Sequence, residues 1–361
     1  MKIGIVTQPL LRNYGGILQN YALQTILRQL GHTPITISYI PNTPLKLYLK
    51  VEFKRRWYNF FHSHKRPPLG SRCPLSRHPY LEAFAAKNMT LTKNVYSYSP
   101  KLISKYGLEA VIVGSDQVWR PCYNQYVLTN MFLDFVPNKR KIKKFAYGAS
   151  FGVADWEFTP EDSEKCRKLV QQLDYVSVRE ESGIALCRDS LGVDAVEVLD
   201  PTLLLSAETY GALCTEVPQH KERYIAAYIL DSTPEKVAFV EQEAKRKGVV
   251  CKIYGADNRL ELTVEEWLAL LQNAKSVITD SFHGCVFSII FRKEFIALIN
   301  SSRGAGRFTS LLGKFNLLDR IVEDPRQDLP PSKPIDWNKI ETILKSWQEF
   351  SINYINNALR N

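Results

Sequence analysis

Short apolar runs alternate with amphipathic stretches along most of this chain. KIGIVT at 2–7 predicts a first, buried strand rather than a secretory signal. Residues 17–30 place Leu23, Ile26, Leu27 and Leu30 on one helical face, and Gly31 ends that helix. TPITISYI at 33–40 predicts the next strand. Residues 41–80 then interrupt the rhythm with prolines, basic residues and aromatics, and read as an insertion. Beyond it, the pattern predicts strands at 109–114, 144–149, 175–179 and 195–200, and helices at 161–173 and 180–191. A second series begins near 224. It predicts strands at YIAAYIL, 249–254, 275–279 and EFIALI, and helices at 234–247, 263–273, 282–291 and 307–315. From Trp337 to Leu359 one more apolar stripe predicts a final helix long enough to pack back on the first domain.

Strands alternating with crossover helices predict an α/β protein with two Rossmann-like, doubly wound domains facing a cleft. The expected divisions are 1–205, carrying the 41–80 insertion, then 206–335, then the helix at 336–361. Open parallel sheets take ligands at the carboxyl ends of their strands, so the cleft between the domains is the expected site.

The chain has 361 residues, of which 45% are hydrophobic and 23% charged, which excludes wholesale disorder. No apolar run is long enough to span a membrane. Seven cysteines without a CxxC pair argue against a disulfide framework or zinc site and for reduced thiols in the cytoplasm. No cluster of acidic ligands suggests a metal. A formal net charge of +10 favours an anionic partner. Lys54, Arg55 and Arg56 through Lys65 and Arg66 are interleaved with Trp57, Phe60 and Phe61. Lys139, Arg140, Lys141, Lys143 and Lys144 form a second cluster. The first reads either as a solvated insertion or as a contact with anionic lipid headgroups. Neither has the spacing of a nucleic-acid module, so no nucleic acid is expected.

Five segments fall where chemistry is expected. TDSFHG at 279–284 follows a strand and opens an apolar helix. Ser281 or Asp280 would cap that helix, His283 would lie in its first turn, and the free amides there favour a phosphate or carboxylate. Gly284 would allow close approach of a ligand or a strand. RNYGG at 12–16 places Asn13, Gly15 and Gly16 between a strand and a helix, as an anion cradle or simply a turn. GSDQVWRP at 114–121 brings Ser115 and Asp116 to a strand end, and Trp119 is either a flat face for a sugar ring or core. Arg179 in SVREESG ends another strand, with a guanidinium fork suited to a carboxylate or phosphate, or to an ion pair with Glu180 or Glu181. RGAGRF at 303–308 puts Arg303 and Arg307 around two glycines at a helix start.

In their order and spacing these segments resemble the polysaccharide pyruvyl transferase family. The residues carrying the resemblance are NYGGILQNYAL (13–23), GSDQVWRP (114–121), SVREESG (177–183), VLDPTLLL (198–205), ITDSFHGCVFSIIF (278–291) and RGAGRFTSLL (303–312). The resemblance implies a fold like that of GT-B glycosyltransferases. It also implies transfer of a pyruvyl group from phosphoenolpyruvate to a hydroxyl pair of a glycan or lipid-linked oligosaccharide, with no further cofactor. His283 matches the family's proposed general acid, and Arg179 matches a donor-holding arginine. Asp116 is a candidate base. Ser281, Gly284, Arg303 and Arg307 are the other donor-side candidates, and Asn13, Gly15, Gly16, Ser115 and Trp119 the acceptor or anion candidates. Many members carry Arg-Leu before the histidine, whereas here the pair is Ser281-Phe282. Either Arg303 or Arg307 replaces that arginine, or the donor differs. Two other readings stay open on the same fold: a nucleotide-sugar glycosyltransferase and a non-catalytic glycan-binding protein. The expected location is the cytoplasm, with peripheral contact at the inner face of the membrane.

Overall fold

The computed structural model describes residues 1–42, 45–61, 77–138, 142–218, 222–255, 261–299, 305–326 and 333–360. Arg303 and the basic residues Lys65, Arg66, Lys139, Arg140 and Lys141 lie outside them. The first half runs β1 (Lys2–Val6), α1 (Tyr14–Gln29), β2 (Thr33–Thr36), α2 (Leu45–Phe61), α3 (Pro79–Asn88), α4 (Lys101–Tyr106) and β3 (Ala110–Val113). It continues with β4 (Lys143–Ala146), α5 (Pro160–Val170), β5 (Ser177–Val178), α6 (Ser182–Leu186) and β6 (Val196–Glu197). After α7 (Ala207–Gly211), the second half runs β7 (Tyr224–Tyr228), α8 (Pro234–Lys247), β8 (Val250–Tyr254), α9 (Val264–Asn273) and β9 (Ser276–Thr279). Then come α10 (Phe282–Ile290), β10 (Glu294–Leu298), α11 (Gly306–Lys314), β11 (Ile321–Val322) and α12 (Trp337–Arg360).

All the strand pairs are parallel. The first sheet has the order β2-β1-β3-β4, and bridges at Phe145–Tyr175 and Ala149–Val178 carry it on to the β5–β6 pair. The second has the order β8-β7-β9-β10-β11. Both halves therefore repeat one winding. The chain steps outward from its first strand, returns, and continues on the other side. The order reverses between β1 and β3, and again between β7 and β9. This is the α/β class expected. β3 and β7 are buried at every position, because helices cover both faces of each sheet.

Local chemistry sets the element ends. The Asn13 side chain accepts from Gly16 N at 3.1 Å and starts α1. Thr263 and Glu266 close a capping box on α9, and Gly248, at φ 62°, ends α8. Several strands are shorter than their apolar runs. β4 stops at Ala146 because the chain turns through Gly148 at φ 57°, and past Thr36 the second strand keeps only a bridge from Tyr39 to Val95. The insertion departs furthest from expectation, since residues 45–61 form the helix α2.

The largest apolar cluster joins the halves. It includes Ile3, Ile17 and Ile112 from the first, Trp267, Val277 and Phe287 from the second, and Ile340 and Ile355 from α12. Tyr14 stacks on Trp267 with centroids 5.3 Å apart, and its hydroxyl donates to Leu262 O at 2.5 Å. α12 starts against the second half through the Arg292–Glu341 ion pair and finishes against the first. There Leu199 N donates to Ser351 Oγ at 3.0 Å and Tyr354 Oη to Ala146 O at 2.9 Å. Lys143 and Lys144, read in sequence as part of a basic cluster, are tied down structurally. Lys143 Nζ donates to Leu359 O, and the buried Lys144 donates to Asn138 Oδ1. Among the described residues no helix is long and apolar enough to cross a membrane, and no group of His, Cys, Asp or Glu is placed to hold a metal ion.

Ile355 is fully buried in the shared cluster. Ile355→Ala is expected to destabilise the whole chain by about 2–5 kcal/mol in urea unfolding. A change confined to loss of α12, with the rest unaltered, would contradict its place in the common core.

Candidate functional site

The carboxyl ends of β1, β3, β7 and β9 flank the two points where strand order reverses, and they meet around one cavity of about 400 Å³. Asn13, Asp116, Gln117 and Arg120 come from the first half. Leu230, Asp280, Phe282 and His283 come from the second, with Lys236 from α8 and Arg307 from α11.

His283 is held by the way α10 starts. Ser281 is the cap, its Oγ accepting from Gly284 N at 3.4 Å, while Ser281 N donates to Thr279 Oγ1 at 3.1 Å. A Cβ on Gly284 would stand 2.2 Å from Thr279 Oγ1, so only glycine lets α10 seat this closely on β9. The imidazole lies across Gly15, where a Cβ would stand 2.0 Å from Nδ1. Asp280 is not the cap. Its carboxylate accepts from Leu230 N, Asp231 N and Lys236 Nζ, the last at 2.6 Å, and fastens the β9 end to the β7 end.

Behind His283 stands Asp200, fully buried. Its Oδ1 accepts from Thr202 N and Oγ1 at 3.0 and 2.6 Å. Its Oδ2 accepts from Arg179 Nη1 at 2.9 Å and Ser115 Oγ at 3.4 Å, and lies 3.6 Å from His283 Nε2. Burial alone would raise this carboxyl, but His283, Arg179 and Thr202 together hold it well below the ordinary range. Arg179 is equally buried. Desolvation opposes its charge, yet Asp200, Asp116 and Glu180 keep it above its ordinary value.

The Arg179 guanidinium also lies 4.6 Å from the centre of the Phe282 ring, and that of Arg307 lies 5.9 Å from the same ring. Burial, followed by the charge of Arg179, pushes Arg307 down to about 10. Arg179 Nε and Nη2, Arg307 Nε, His283 Nε2 and Glu180 Oε2 are buried here without a hydrogen bond, with Glu180 Oε2 4.0 Å from Arg179 Nε and Asp116 Oδ1 3.9 Å from Nη2. Buried donors are ordinarily satisfied, so a cluster of them beside a polar cavity marks where an acceptor-rich, negatively charged group fits.

Of the residues singled out in the sequence, the structure brings Asn13, Gly15, Gly16, Asp116, Arg179, Ser281, Gly284, His283 and Arg307 together here. Several do structural work there. Asn13 lines the cavity but spends its side chain on Gly16 N, and Ser281 spends its own on Gly284 N. Two expectations are corrected. Ser115 is fully buried, its Oγ donating to Gly148 O at 3.1 Å and reaching Asp200, so it supports the site from behind. Trp119 is fully buried, stacked on Phe132 at 5.0 Å, with Nε1 donating to Met131 O at 2.9 Å. It is core and presents no face to a sugar. Asp200, Lys236 and Arg120 were missed. Asp200 had a signal, an acidic residue at a strand's carboxyl end before Pro201, the same placement as Asp116 and Arg179.

The family model for polysaccharide pyruvyl transferases matches residues 13–302. No curated protein matches the chain. Among solved structures it is similar to a UDP-GlcNAc 2-epimerase from Methanocaldococcus jannaschii at 12% identity, covering 96% of this chain and 92% of that one, with a TM-score of 0.48. A UDP-GlcNAc 2-epimerase from Neisseria meningitidis is 8% identical over 99% of this chain and 94% of that one, with a TM-score of 0.47. A glycosyltransferase from Rickettsia africae is 15% identical over 99% and 93%, with a TM-score of 0.41.

Removing the Asp200 charge leaves Arg179 buried without its main partner. Asp200→Asn is expected to cost about 3–5 kcal/mol of stability at neutral pH. Because the native carboxyl titrates below its unfolded value, that contribution is complete above about pH 4 and is lost as pH falls through the depressed native value. Urea unfolding of both proteins across this range should show the difference shrinking with acid. A difference independent of pH would mean that charge is not what Asp200 contributes.

Proposed function

The chain belongs to the polysaccharide pyruvyl transferase family, and from that membership we propose that it transfers a pyruvyl group from phosphoenolpyruvate to a hydroxyl pair of a sugar, as a ketal. The observation that carries this reading is the pair of guanidinium groups, Arg179 and Arg307, with unbonded buried donors. Phosphoenolpyruvate brings a phosphate and a carboxylate, two acceptor-rich anions on one small frame. Two guanidinium groups near Phe282 suit such a pair.

In the proposed reaction the donor's anions rest on Arg307 and on the free edge of Arg179. His283, with Nε2 turned toward Asp200, gives the proton on Nδ1 to C3 of the donor, and C2 becomes electrophilic. A sugar hydroxyl adds to C2 and passes its proton to Asp116. The C2–O bond to phosphate then breaks; phosphate leaves with the bonding electron pair and takes the proton from Asp116, departing as hydrogen phosphate and restoring the carboxylate. The neighbouring hydroxyl closes the ketal at C2 and returns a proton to His283. Asp200 faces His283 Nε2 across 3.6 Å while tying down Arg179. Asp116 fits the role of base because it lines the cavity beside Gly16 and holds one carboxylate oxygen on Gln117 N at 2.8 Å. No step calls for a metal.

Ser281 leaves the position of the family's second arginine empty, and in this reading Arg307 of α11 takes over its task. The acceptor is a glycan or its lipid-linked precursor.

Titration calorimetry with phosphoenolpyruvate tests the donor. Wild type is expected to bind, and Arg307→Ala to bind about 10- to 100-fold more weakly, as when one charged hydrogen-bond partner is lost. Wild type that binds no phosphoenolpyruvate, with or without a glycan acceptor, would overturn the donor assignment.

His283→Gln keeps much of the shape and removes the acid. Turnover is expected to fall about 10²- to 10⁴-fold with donor binding largely retained. Near-normal turnover in a folded His283→Gln protein would take His283 out of the chemistry.

A further inference from the structure

α2 presents its amphipathic faces the wrong way round for a helix packed on a protein. None of its described side chains is buried. Phe53, Trp57, Phe60 and Phe61 are 60–83% exposed, and Leu49 is exposed beside them. At the helical angle of about 100° per residue, Leu49, Phe53, Trp57 and Phe60 fall in one strip. The rings touch one another: Trp57 and Phe61 have centroids 5.0 Å apart, as do Phe60 and Phe61. The half-buried side is the polar one, formed by Tyr48, Glu52, Arg55 and Asn59.

Charge frames the aromatic strip. Lys50 and Lys54 border one edge and Arg56 the other, all exposed. The sequence 45–61 holds five basic residues and a single acidic one, Glu52. Glu52 is engaged by Arg55 at 2.5 Å and Arg56 at 3.0 Å. An aromatic stripe rimmed by lysine and arginine differs from the core of a protein interface, where lysine is depleted. It fits a bilayer surface, where rings settle at the headgroup boundary and cations reach lipid phosphates.

We propose that α2 lies in the surface of an anionic bilayer, with Phe53, Trp57 and Phe60 at the headgroup boundary and Lys50, Lys54 and Arg56 on lipid phosphates. Among the described residues none from α2 lines the cleft cavity, so this contact is independent of the donor assigned there.

Co-sedimentation of the full chain with vesicles tests it. Wild type is expected to pellet with phosphatidylglycerol–phosphatidylcholine vesicles and at least about tenfold less with phosphatidylcholine alone, as several cations near an anionic surface imply. Added salt should weaken the binding. Trp57→Ser with Phe60→Ser, and separately Lys50→Glu with Lys54→Glu, should each reduce binding about tenfold or more, while melting temperature and phosphoenolpyruvate binding match wild type. Equal sedimentation with both vesicle types would overturn the proposal, as would either double variant binding like wild type. So would wild type that forms a dimer through this strip, dissociated by the Trp57→Ser and Phe60→Ser pair, and ignores lipid.

Discussion

One buried carboxylate organises the centre of this molecule. Asp200 collects hydrogen bonds from Thr202, Ser115 and Arg179 and faces His283 across 3.6 Å. A lone carboxylate at such depth would be very costly, and so would a lone guanidinium. Each makes the other tolerable, and the pair draws in the ends of β3, β5 and β6 together with the first turn of α10. The sharing is uneven in a useful way. Asp200 satisfies one edge of Arg179 and leaves Nε and Nη2 unbonded, while Arg307 is crowded by a second cation. Asp116 faces Nη2 from 3.9 Å and Glu180 faces Nε from 4.0 Å, too far for a hydrogen bond. The donors therefore stay open to an acceptor placed between them.

The repeated winding explains why the charge collects there. In each half the strand order reverses beside the first strand, and the chain ends on either side of that point diverge and leave a crevice. Two such crevices face each other. The joint between them is apolar and continuous, pinned by Tyr14 on Trp267 and crossed by α12. Domains joined through small polar contacts move freely against each other, whereas a shared apolar core resists that. Gly15 follows Tyr14 directly and makes room for the His283 ring. The contact that joins the halves and the contact that places the imidazole are therefore one residue apart.

Much of this was legible in the sequence, because period and turn chemistry are local. The alternating strands and helices, the cap of α10 at Ser281 or Asp280 and the position of His283 in its first turn all follow from neighbours within a few residues. What failed depends on distance. Trp119 looked available for a ligand because nothing in GSDQVWRP reveals that Phe132 and Met131 O enclose it. Asp200 showed in sequence only as an acidic residue ending a strand before Pro201, because its role comes from Arg179 and His283, which lie far away along the chain. α2 was hidden for a different reason. Its apolar residues do recur at helical spacing, from Phe53 to Trp57 to Phe60, but prolines and basic residues around it dominate the composition, and a stripe that faces outward has no partner run to pair with.

The pair Ser281-Phe282 is where sequence and structure inform each other most. By sequence it is a loss, because the family resemblance leads one to expect an arginine before the histidine. In the fold, Ser281 makes a good cap for α10, and the Phe282 ring has the guanidinium groups of Arg179 and Arg307 within 4.6 and 5.9 Å of its centre. The negative face of an aromatic ring attracts each cation by about 0.5–2 kcal/mol. That attraction offsets part of the repulsion between two guanidinium groups held close in a poorly solvated place. In the proposed chemistry Ser281 stands where the family resemblance leads one to expect an arginine, and Arg307 of α11, held near the Phe282 ring, supplies the second cation. On the reading proposed for the cleft, the departure moves the second cation to another helix and leaves the requirement for two cations intact.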